Sequence, residues 1–388
     1  MVHFVRLSVI APFLLFLTYY YRVNGGSTIG SLMYFLFLFL GIICLFYIIQ
    51  KKRQIEPCTK SLLLLFSLLT ITFILSPSEV VGIRYEAIGV VKTYKSYMSY
   101  ACFFLSYFIG YALIISKSIS VRYLQTIGIC FLFVSMFCYH LNSERIIYEL
   151  GRLNQNNEAY LLISVLPYLP LLLLNRKRKY LTLVISLILL IQIVSSAKRG
   201  AIVCLLMVIL YCFYYYRKET KLTIGRIIFI TLLFIICVAL VNYYISINER
   251  LIERISQMES GEYGARSMAY PILLKSWYES SLLGFMFGHG LCYSVTVWGN
   301  FAHNDWLELL CSNGLTGAMF YVAVFISFLT YIKRIQISPI YKLSMCLCII
   351  VWFLKTLFSM GYSDTSNCMI MFLLGVLVGI PVNQQLQK

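Results

Sequence analysis

Charged residues are few in this sequence, and acidic residues are the scarcest of them. Of its 388 residues only 12% are charged and 60% are hydrophobic, and 15 Asp and Glu stand against 32 Lys and Arg. A soluble domain carries about 25% charged and about 45–50% apolar residues. This chain has too little charge to cover a surface in water, and the same figures exclude intrinsic disorder. The composition therefore predicts a membrane protein.

Several catalytic signatures are also missing. The chain has no G-x-x-x-x-G-K-[ST] to hold ATP phosphates, no H-E-x-x-H and no C-x-x-C. It contains only two Asp and no D-x-D, whereas a metal-dependent nucleotide-sugar glycosyltransferase needs clustered carboxylates. If the protein is an enzyme, we expect it to use no ATP, no nucleotide, no metal and no other cofactor.

Long apolar runs predict an all-α polytopic membrane protein, because a membrane-spanning helix needs about 20 mostly apolar residues. Twelve runs qualify: 4–21, 29–50, 61–76, 97–116, 123–141, 158–174, 180–196, 200–216, 227–247, 315–332, 343–359 and 368–382. Basic loops follow the even-numbered runs, which predicts that these loops and both termini are cytoplasmic. The whole net charge of +17 then lies on the cytoplasmic side, so it requires no nucleic-acid partner. The first run is expected to be an uncleaved span.

The chain 1–388 is expected to be one membrane domain whose longest outer loop is 248–314. Loops of this length inside a compact protein are usually functional. The loop begins with an amphipathic pattern, continues with a helical pattern after Arg266, and closes with Phe301-Ala-His-Asn-Asp. Here we expect part of the active site.

His303, Asn304 and Asp305 stand at the predicted membrane edge, just before an apolar helical run. A histidine there can act as a general base, although capping of the following helix by Asn304 or His303 is the simpler interpretation. Asn304 and Asp305 are also candidates to bind the glycan or the acceptor. Gly314 and Gly317 predict a kink or close packing where the chain re-enters the membrane.

Lys198 and Arg199 are adjacent cations with almost no loop around them, on the predicted outer side. Cations at membrane depth are costly and usually face a cavity or an anion. They favour a phosphate clamp, since Arg offers a planar fork and Lys a point charge. Snorkelling to lipid headgroups is the structural alternative.

Further polar side chains lie in two other outer segments. Arg152, Asn154 and Asn157 precede the sixth run and are candidates to bind sugar hydroxyls or phosphate, although a plain polar turn explains them equally well. Arg84, in the loop 77–96, is a weaker candidate of the same kind, for which surface charge is the simpler interpretation.

Four elements, in order, resemble the bacterial O-antigen ligase and polymerase superfamily. His303-Asn304, nine residues and Gly314-Leu-Thr-Gly317 resemble its H-N-x9-G-x-x-G signature. The other elements are the segments 154–159 and 196–201, and Arg266 with Gly288-His-Gly290 after it. The resemblance covers about residues 140–330, together with the twelve-span layout and the long outer loop.

This resemblance implies a glycosyltransferase C-like fold in the bacterial inner membrane and glycan transfer from undecaprenyl diphosphate on the periplasmic face. It assigns His303 as the base on the acceptor hydroxyl and Arg199 and Arg266 as diphosphate ligands. Lys198 departs from the family pattern and is expected to add a phosphate contact. The acceptor is a glycan or a lipid-A core, and a polysaccharide chain-length regulator is a further expected partner.

Two reactions fit the resemblance, namely polymerisation of lipid-linked repeats and ligation of a finished glycan to a lipid-A core or a protein. We favour the polymerase, because divergent polymerases outnumber ligases in the family. A flippase or other transporter is the alternative from another class. It would be expected to show internal repeats and charges at mid-membrane, and no clear repeat links 1–190 to 191–388.

Overall fold

The computed structural model of the protein describes most of the chain. It describes residues 1–23, 28–51, 55–82, 89–150, 156–174, 179–196, 198–219, 239, 243, 265–359, 361 and 365–385. Inside these ranges, the side chains of Asn157, Arg199 and Arg266 are among those that lie outside the description. Structural statements below refer to the described residues only.

The described chain is almost entirely helical. In chain order its α-helices are α1 (Val2–Leu7), α2 (Ala11–Val23), α3 (Thr28–Gln50), α4 (Pro57–Leu75), α5 (Thr93–Ile115), α6 (Val121–Leu150), α7 (Asn156–Val165), α8 (Leu169–Leu172), α9 (Lys179–Ser195), α10 (Arg199–Glu219), α11 (Ala265–Tyr278), α12 (Leu282–Phe287), α13 (Tyr293–Trp298), α14 (Asp305–Arg334), α15 (Pro339–Phe358) and α16 (Cys368–Gln385). Short 3-10 helices cover Ser8–Ile10, Leu166–Tyr168 and Thr365–Asn367.

These helices correspond to the apolar runs of the sequence. Eleven of the predicted runs coincide with helices or short helical series, while 227–247 lies largely outside the described residues. By length and composition, six described helices can cross a membrane: Gly30–Gln50, Pro57–Leu75, Thr93–Ile115, Arg122–Leu141, Asp305–Arg334 and Pro339–Phe358. The helical fold class is confirmed, and the apolar helices support membrane association.

Helices α5 and α16 form the buried centre of the described fold. All residues of α5 from 100 to 115 are buried. A Cβ atom at Gly375 of α16 would come closer than 3.0 Å to the backbone of Tyr107 and Tyr111, and one at Gly110 would meet the backbone of Phe372 as closely. The missing side chains let the two backbones touch, as small residues do where membrane helices pack closely.

The segment 77–96, predicted as a plain loop, contains a β-hairpin. Strands β1 (Glu79–Val81) and β2 (Val90–Lys92) pair antiparallel with Val80 opposite Val91. A Cβ atom at Gly82 would lie 2.8 Å from the backbone oxygen of Gly299, so the hairpin packs against the end of α13. Each strand has only three residues, which is too short for a pattern of alternation.

The described part of the long predicted loop, 265–314, is not irregular. Helices α11, α12 and α13 and the first turns of α14 fill it. They enclose a small apolar core separate from the main one, formed by Ala269, Leu273, Trp298, Ala302, Leu307 and Cys311. The helical pattern predicted after Arg266 is confirmed as α11, whereas the amphipathic pattern at 248–255 lies outside the described residues.

Helix α14 breaks at Gly314, where the sequence predicts a kink. Gly314 has φ 63° and ψ −161° inside the helix. The break frees carbonyl groups of the preceding turn, and the backbone N–H groups of His289 and Gly290 donate to the oxygens of Cys311 and Ser312, each at 3.0 Å. Gly288-His-Gly290 therefore has a structural role. Its N–H groups bind the backbone carbonyl groups that the kink leaves without a partner in the helix.

Candidate active site

The start of α14 holds the predicted base. Asn304 is the N-cap, and its Oδ1 accepts the backbone N–H of Trp306 at 3.0 Å and of Leu307 at 3.2 Å. Asn304 also donates from Nδ2 to the carbonyl oxygen of Leu357 at 3.3 Å. His303 precedes the cap, is partly buried, and has a left-handed backbone with φ 53°. Because Asn304 accepts the free N–H groups at the start of α14, helix capping does not explain the presence of His303.

Asp305 is fully buried and ties α14 to two other segments. Its Oδ2 accepts a hydrogen bond from the hydroxyl of Tyr321 at 2.8 Å, and its Oδ1 accepts the backbone N–H of Gly361 at 2.7 Å. Trp352 in turn donates from Nε1 to the Tyr321 hydroxyl at 3.0 Å. These bonds give the buried carboxylate the donors it requires. They make Asp305 an anchor of the site's framework.

The C-terminal end of α15 joins the start of α14. Trp306 donates from its indole Nε1 to the Thr356 hydroxyl at 3.0 Å, next to the Leu357 carbonyl that Asn304 contacts. The adjacent Lys355 has no exposed surface. The first turn of α14 is therefore held against the last turn of α15, and a buried cation lies at that junction.

Lys355 is enclosed by hydroxyl groups and an aromatic ring. Its Nζ donates to the hydroxyl of Ser366 at 2.6 Å and to that of Ser164 at 3.3 Å, and lies 5.1 Å from the ring centroid of Tyr160. A buried ammonium group is costly unless it is hydrogen-bonded. These partners join α15 to α7 and to the 3-10 turn before α16.

Lys198 reaches the same aromatic ring. Its Nζ lies 5.4 Å from the ring centroid of Tyr160, so the ammonium groups of Lys198 and Lys355 both contact one ring. The Tyr160 hydroxyl donates to the carbonyl oxygen of Phe358 at 3.3 Å. A Cβ atom at Gly200 would come closer than 3.0 Å to Tyr160 and Phe358, and this close approach sets the start of α10 directly against the end of α15.

A chain of polar contacts connects the two clusters. Ser164, which binds Lys355, lies 3.4 Å from Oδ1 of Asn367. Asn367 donates from Nδ2 to the carbonyl oxygen of Gly361, whose N–H binds Asp305. The segment that carries His303 and the segment that carries Lys198 therefore belong to one connected, largely buried network.

The helix that carries Arg266 also belongs to this region. Ala269 and Leu273, on α11, pack in the small apolar core with Ala302, which immediately precedes His303. Although the side chain of Arg266 lies outside the described residues, its backbone is in the first turn of this helix. Three of the sequence elements singled out above are thus brought to one end of the helical bundle.

The histidine of the Gly288-His-Gly290 element lies close by but is engaged differently. Its ring stacks on Tyr293 with centroids 4.3 Å apart. Partial burial lowers the pKa of His289, because desolvation disfavours the charged imidazolium. The stacking and the backbone bonds of this segment assign His289 to the packing of the kink.

The remaining predicted site residues, or their side chains, lie outside the part of the chain that the structure describes. Arg84, Arg152 and Asn154 are not among the described residues, and for Asn157 and Arg199 only the backbone is described. Arg199 is the first residue of α10, next to Lys198. Their proposed contacts with glycan or diphosphate stay predictions.

Comparison with known proteins adds no assignment. No protein-family model and no curated protein matches this chain. Within the described part of the chain, no three His, Cys, Asp or Glu side chains gather closely enough to hold a metal ion. The chemistry of the site therefore has to be argued from the described side chains themselves.

Two buried charged residues of the site were not found from the sequence. Lys355 lies inside an apolar run and Glu308 follows the His-Asn-Asp segment, and both are at most 1% exposed. A charged residue within a predicted span is a recognised signal of function, so Lys355 could have been found. Glu308 gives no such signal, because its partners only become apparent in the fold.

Proposed function

We propose that this protein is a metal-independent glycosyltransferase that acts at the outer face of the bacterial inner membrane. It transfers a glycan from undecaprenyl diphosphate to an acceptor hydroxyl, and the reaction we favour is polymerisation of a surface polysaccharide such as O antigen. In this proposal the chain has about twelve spans, both termini are cytoplasmic, and the site described above is periplasmic.

One observation carries the proposal. Lys198, through Tyr160, and the segment of His303, through Asn304, both contact the last residues of α15, although they are far apart in sequence. Helix α11, whose first turn holds Arg266, packs with Ala302 beside His303. A general base beside several cations suits attack on a substrate whose leaving group is a diphosphate. Resemblance to the O-antigen ligase and polymerase superfamily points to the same chemistry.

The proposed reaction is a single displacement at the anomeric carbon. The acceptor oxygen forms a bond to that carbon while its proton passes to the neutral imidazole of His303. The bond from the carbon to the diphosphate oxygen breaks, and the electron pair leaves with the diphosphate. Lys198, Arg199 and Arg266 stabilise this growing negative charge, and histidine is the side chain that most often performs such a proton transfer. The anomeric centre is inverted.

Complementation with point variants tests this proposal. In a strain that lacks the chain, His303→Ala and Arg199→Ala are expected to fail to restore surface glycan, while both proteins reach the membrane at wild-type levels. Lys275→Ala and His3→Ala are matched controls, because Lys275 is an exposed residue paired with Glu279 and His3 is exposed near the N-terminus. Wild-type glycan from both His303→Ala and Arg199→Ala would refute the proposal.

The same strain separates the two transferase reactions. Without a polymerase, the ladder of glycan lengths disappears and single repeats remain. Without a ligase, long glycans accumulate on undecaprenyl diphosphate. Incubating the purified protein with lipid-linked donor separates transferase from transporter, because only a transferase forms new glycosidic bonds.

A further inference from the structure

Glu308 is a buried carboxylate in the first turn of α14, and no step proposed so far uses it. Only 1% of the residue is exposed. Its two oxygens lie 2.9 and 2.8 Å from the hydroxyl of Ser294, and Oε1 accepts the backbone N–H of Ala302 at 2.5 Å. A carboxylate oxygen accepts hydrogen bonds, so the side chain matches a site whose neighbours are an N–H and an O–H donor.

The carboxylate of Glu308 is shielded from water. Ala302, which it binds, and Leu307, the residue before it, belong to the small apolar core, and Cys292 and Cys311 lie near its charge. Hydrogen bonds are stronger in such a low-dielectric environment, and a buried donor that loses its partner is costly. The Ala302 amide is therefore firmly held to the Glu308 carboxylate.

This bond fixes the residue next to the predicted base. Ala302 immediately precedes His303, and Asn304 immediately follows it. Glu308 holds the first neighbour, while the helix cap and the Leu357 carbonyl hold the second. The backbone of His303 between them is left-handed, with φ 53°, which a residue with a side chain adopts only when its surroundings enforce it.

We propose that Glu308 is a positioning residue, which through the Ala302 amide keeps His303 in the backbone conformation that aims its imidazole at the acceptor hydroxyl. The inference rests on the proposed function, since it assigns a partner to the proposed base. A positioning role of Glu308 differs from a purely structural role in one measurable effect. Loss of the carboxylate impairs the turnover of bound substrate, while donor binding and folding remain.

The decisive variant is Glu308→Leu, which removes both carboxylate oxygens and leaves the Ala302 amide without its acceptor. The full-length protein is purified in detergent and assayed with lipid-linked glycan extracted from the strain that lacks the chain. We expect kcat to fall about tenfold or more while the KM for donor stays within about twofold, because the lost interaction matters in the transition state. Glu279→Leu is the matched control, since Glu279 is an exposed carboxylate that pairs with Lys275, and kcat should stay within about threefold of wild type.

A second measurement reports on His303 independently of activity. Diethyl pyrocarbonate modifies accessible imidazoles, and mass spectrometry of the His303 peptide gives the rate. We expect this rate to change about threefold or more in Glu308→Leu and to stay unchanged in Glu279→Leu, because only the first variant frees the backbone beside the histidine.

The outcomes separate the inference from the function on which it rests. A folded Glu308→Leu protein with wild-type kcat and an unchanged labelling rate overturns the positioning role, whereas wild-type glycan from both His303→Ala and Arg199→Ala overturns the proposed function. If Glu308→Leu does not fold, Glu308→Asp takes its place. It keeps the charge but shortens the reach to Ala302, and wild-type kcat in that variant overturns the inference equally.

Discussion

The seam between α5 and α16 offers a strict test of the fold that supports the site. A Cβ atom at Gly375 would lie 2.9 Å from the backbone carbon of Tyr107 and 2.9 Å from the backbone nitrogen of Tyr111, and closer still to the Tyr107 oxygen. All three neighbours are backbone atoms of α5, which cannot turn aside as a side chain can. In Gly375→Ala the helices must therefore separate along the seam.

The sign of the effect follows from two opposed contributions. Replacing a glycine inside a helix by alanine favours the helix by about 0.8–1 kcal/mol. Overpacking a buried contact costs about 1–3 kcal/mol and sometimes more, and a clash with rigid backbone belongs at the upper end. We expect Gly375→Ala to lower the free energy of unfolding by roughly 1–2 kcal/mol, the difference between these contributions.

Thermal unfolding of the detergent-purified protein measures this difference. One kcal/mol moves Tm by roughly 2–4 °C in chains of about 150–250 residues, so a decrease of a few degrees is expected. Gly128→Ala in α6 is the comparison, because its Cβ would meet side-chain atoms of Tyr168, the nearest at 2.9 Å, and no backbone. The gain in helix propensity is the same, so its Tm should fall less than that of Gly375→Ala. If Gly375→Ala unfolds at or above the wild-type Tm, α5 and α16 do not pack as described.

Two further predictions concern the site itself. Asn304→Ala removes the cap of α14 and the bond to Leu357, so thermal unfolding should show a loss of about 1 kcal/mol, together with slower glycan transfer. An unchanged Tm would contradict the assigned cap. Lys355→Met removes a positive charge beside Tyr160 and Lys198. For a diphosphate bound about 10 Å from the Lys355 ammonium group, this charge contributes roughly 1–2 kcal/mol to binding. The KM for donor should therefore rise about 5- to 30-fold. An unchanged KM would show that the Lys355 charge does not contribute to donor binding.

What the sequence predicts well is local. A run of about twenty mostly apolar residues predicts a membrane helix, and α3, α4, α5 and α15 lie where such runs occur. The kink at Gly314 is likewise local, because a glycine in an apolar helix next to a polar segment indicates a break. The hairpin Glu79–Lys92 was not predicted, because its strands are too short to show an alternation of apolar and polar residues.

The contacts of the site are not local, and the sequence could not supply them. Lys355 and Ser164 are 191 positions apart, and Asn313 donates to Thr72 across 241 positions. Which polar residues of distant helices meet depends on how the helices pack, and packing is encoded in shape rather than in a periodic pattern. The sequence therefore identified His303 and Lys198 separately, and only the fold connects them.

The structure also changes the balance between the two interpretations of the His-Asn-Asp segment. From sequence, helix capping and catalysis competed for the same residues. In the fold Asn304 is the cap and Asp305 anchors Tyr321 and Gly361, so the structural tasks fall to the two residues after the histidine. His303 retains a left-handed backbone that costs energy and that its neighbours, held by Glu308 and by the cap, maintain. Strain of this kind persists where the surroundings over-determine it, and such positions cluster at active sites. Because capping no longer explains His303, the proposed role of its imidazole as a general base becomes the stronger interpretation.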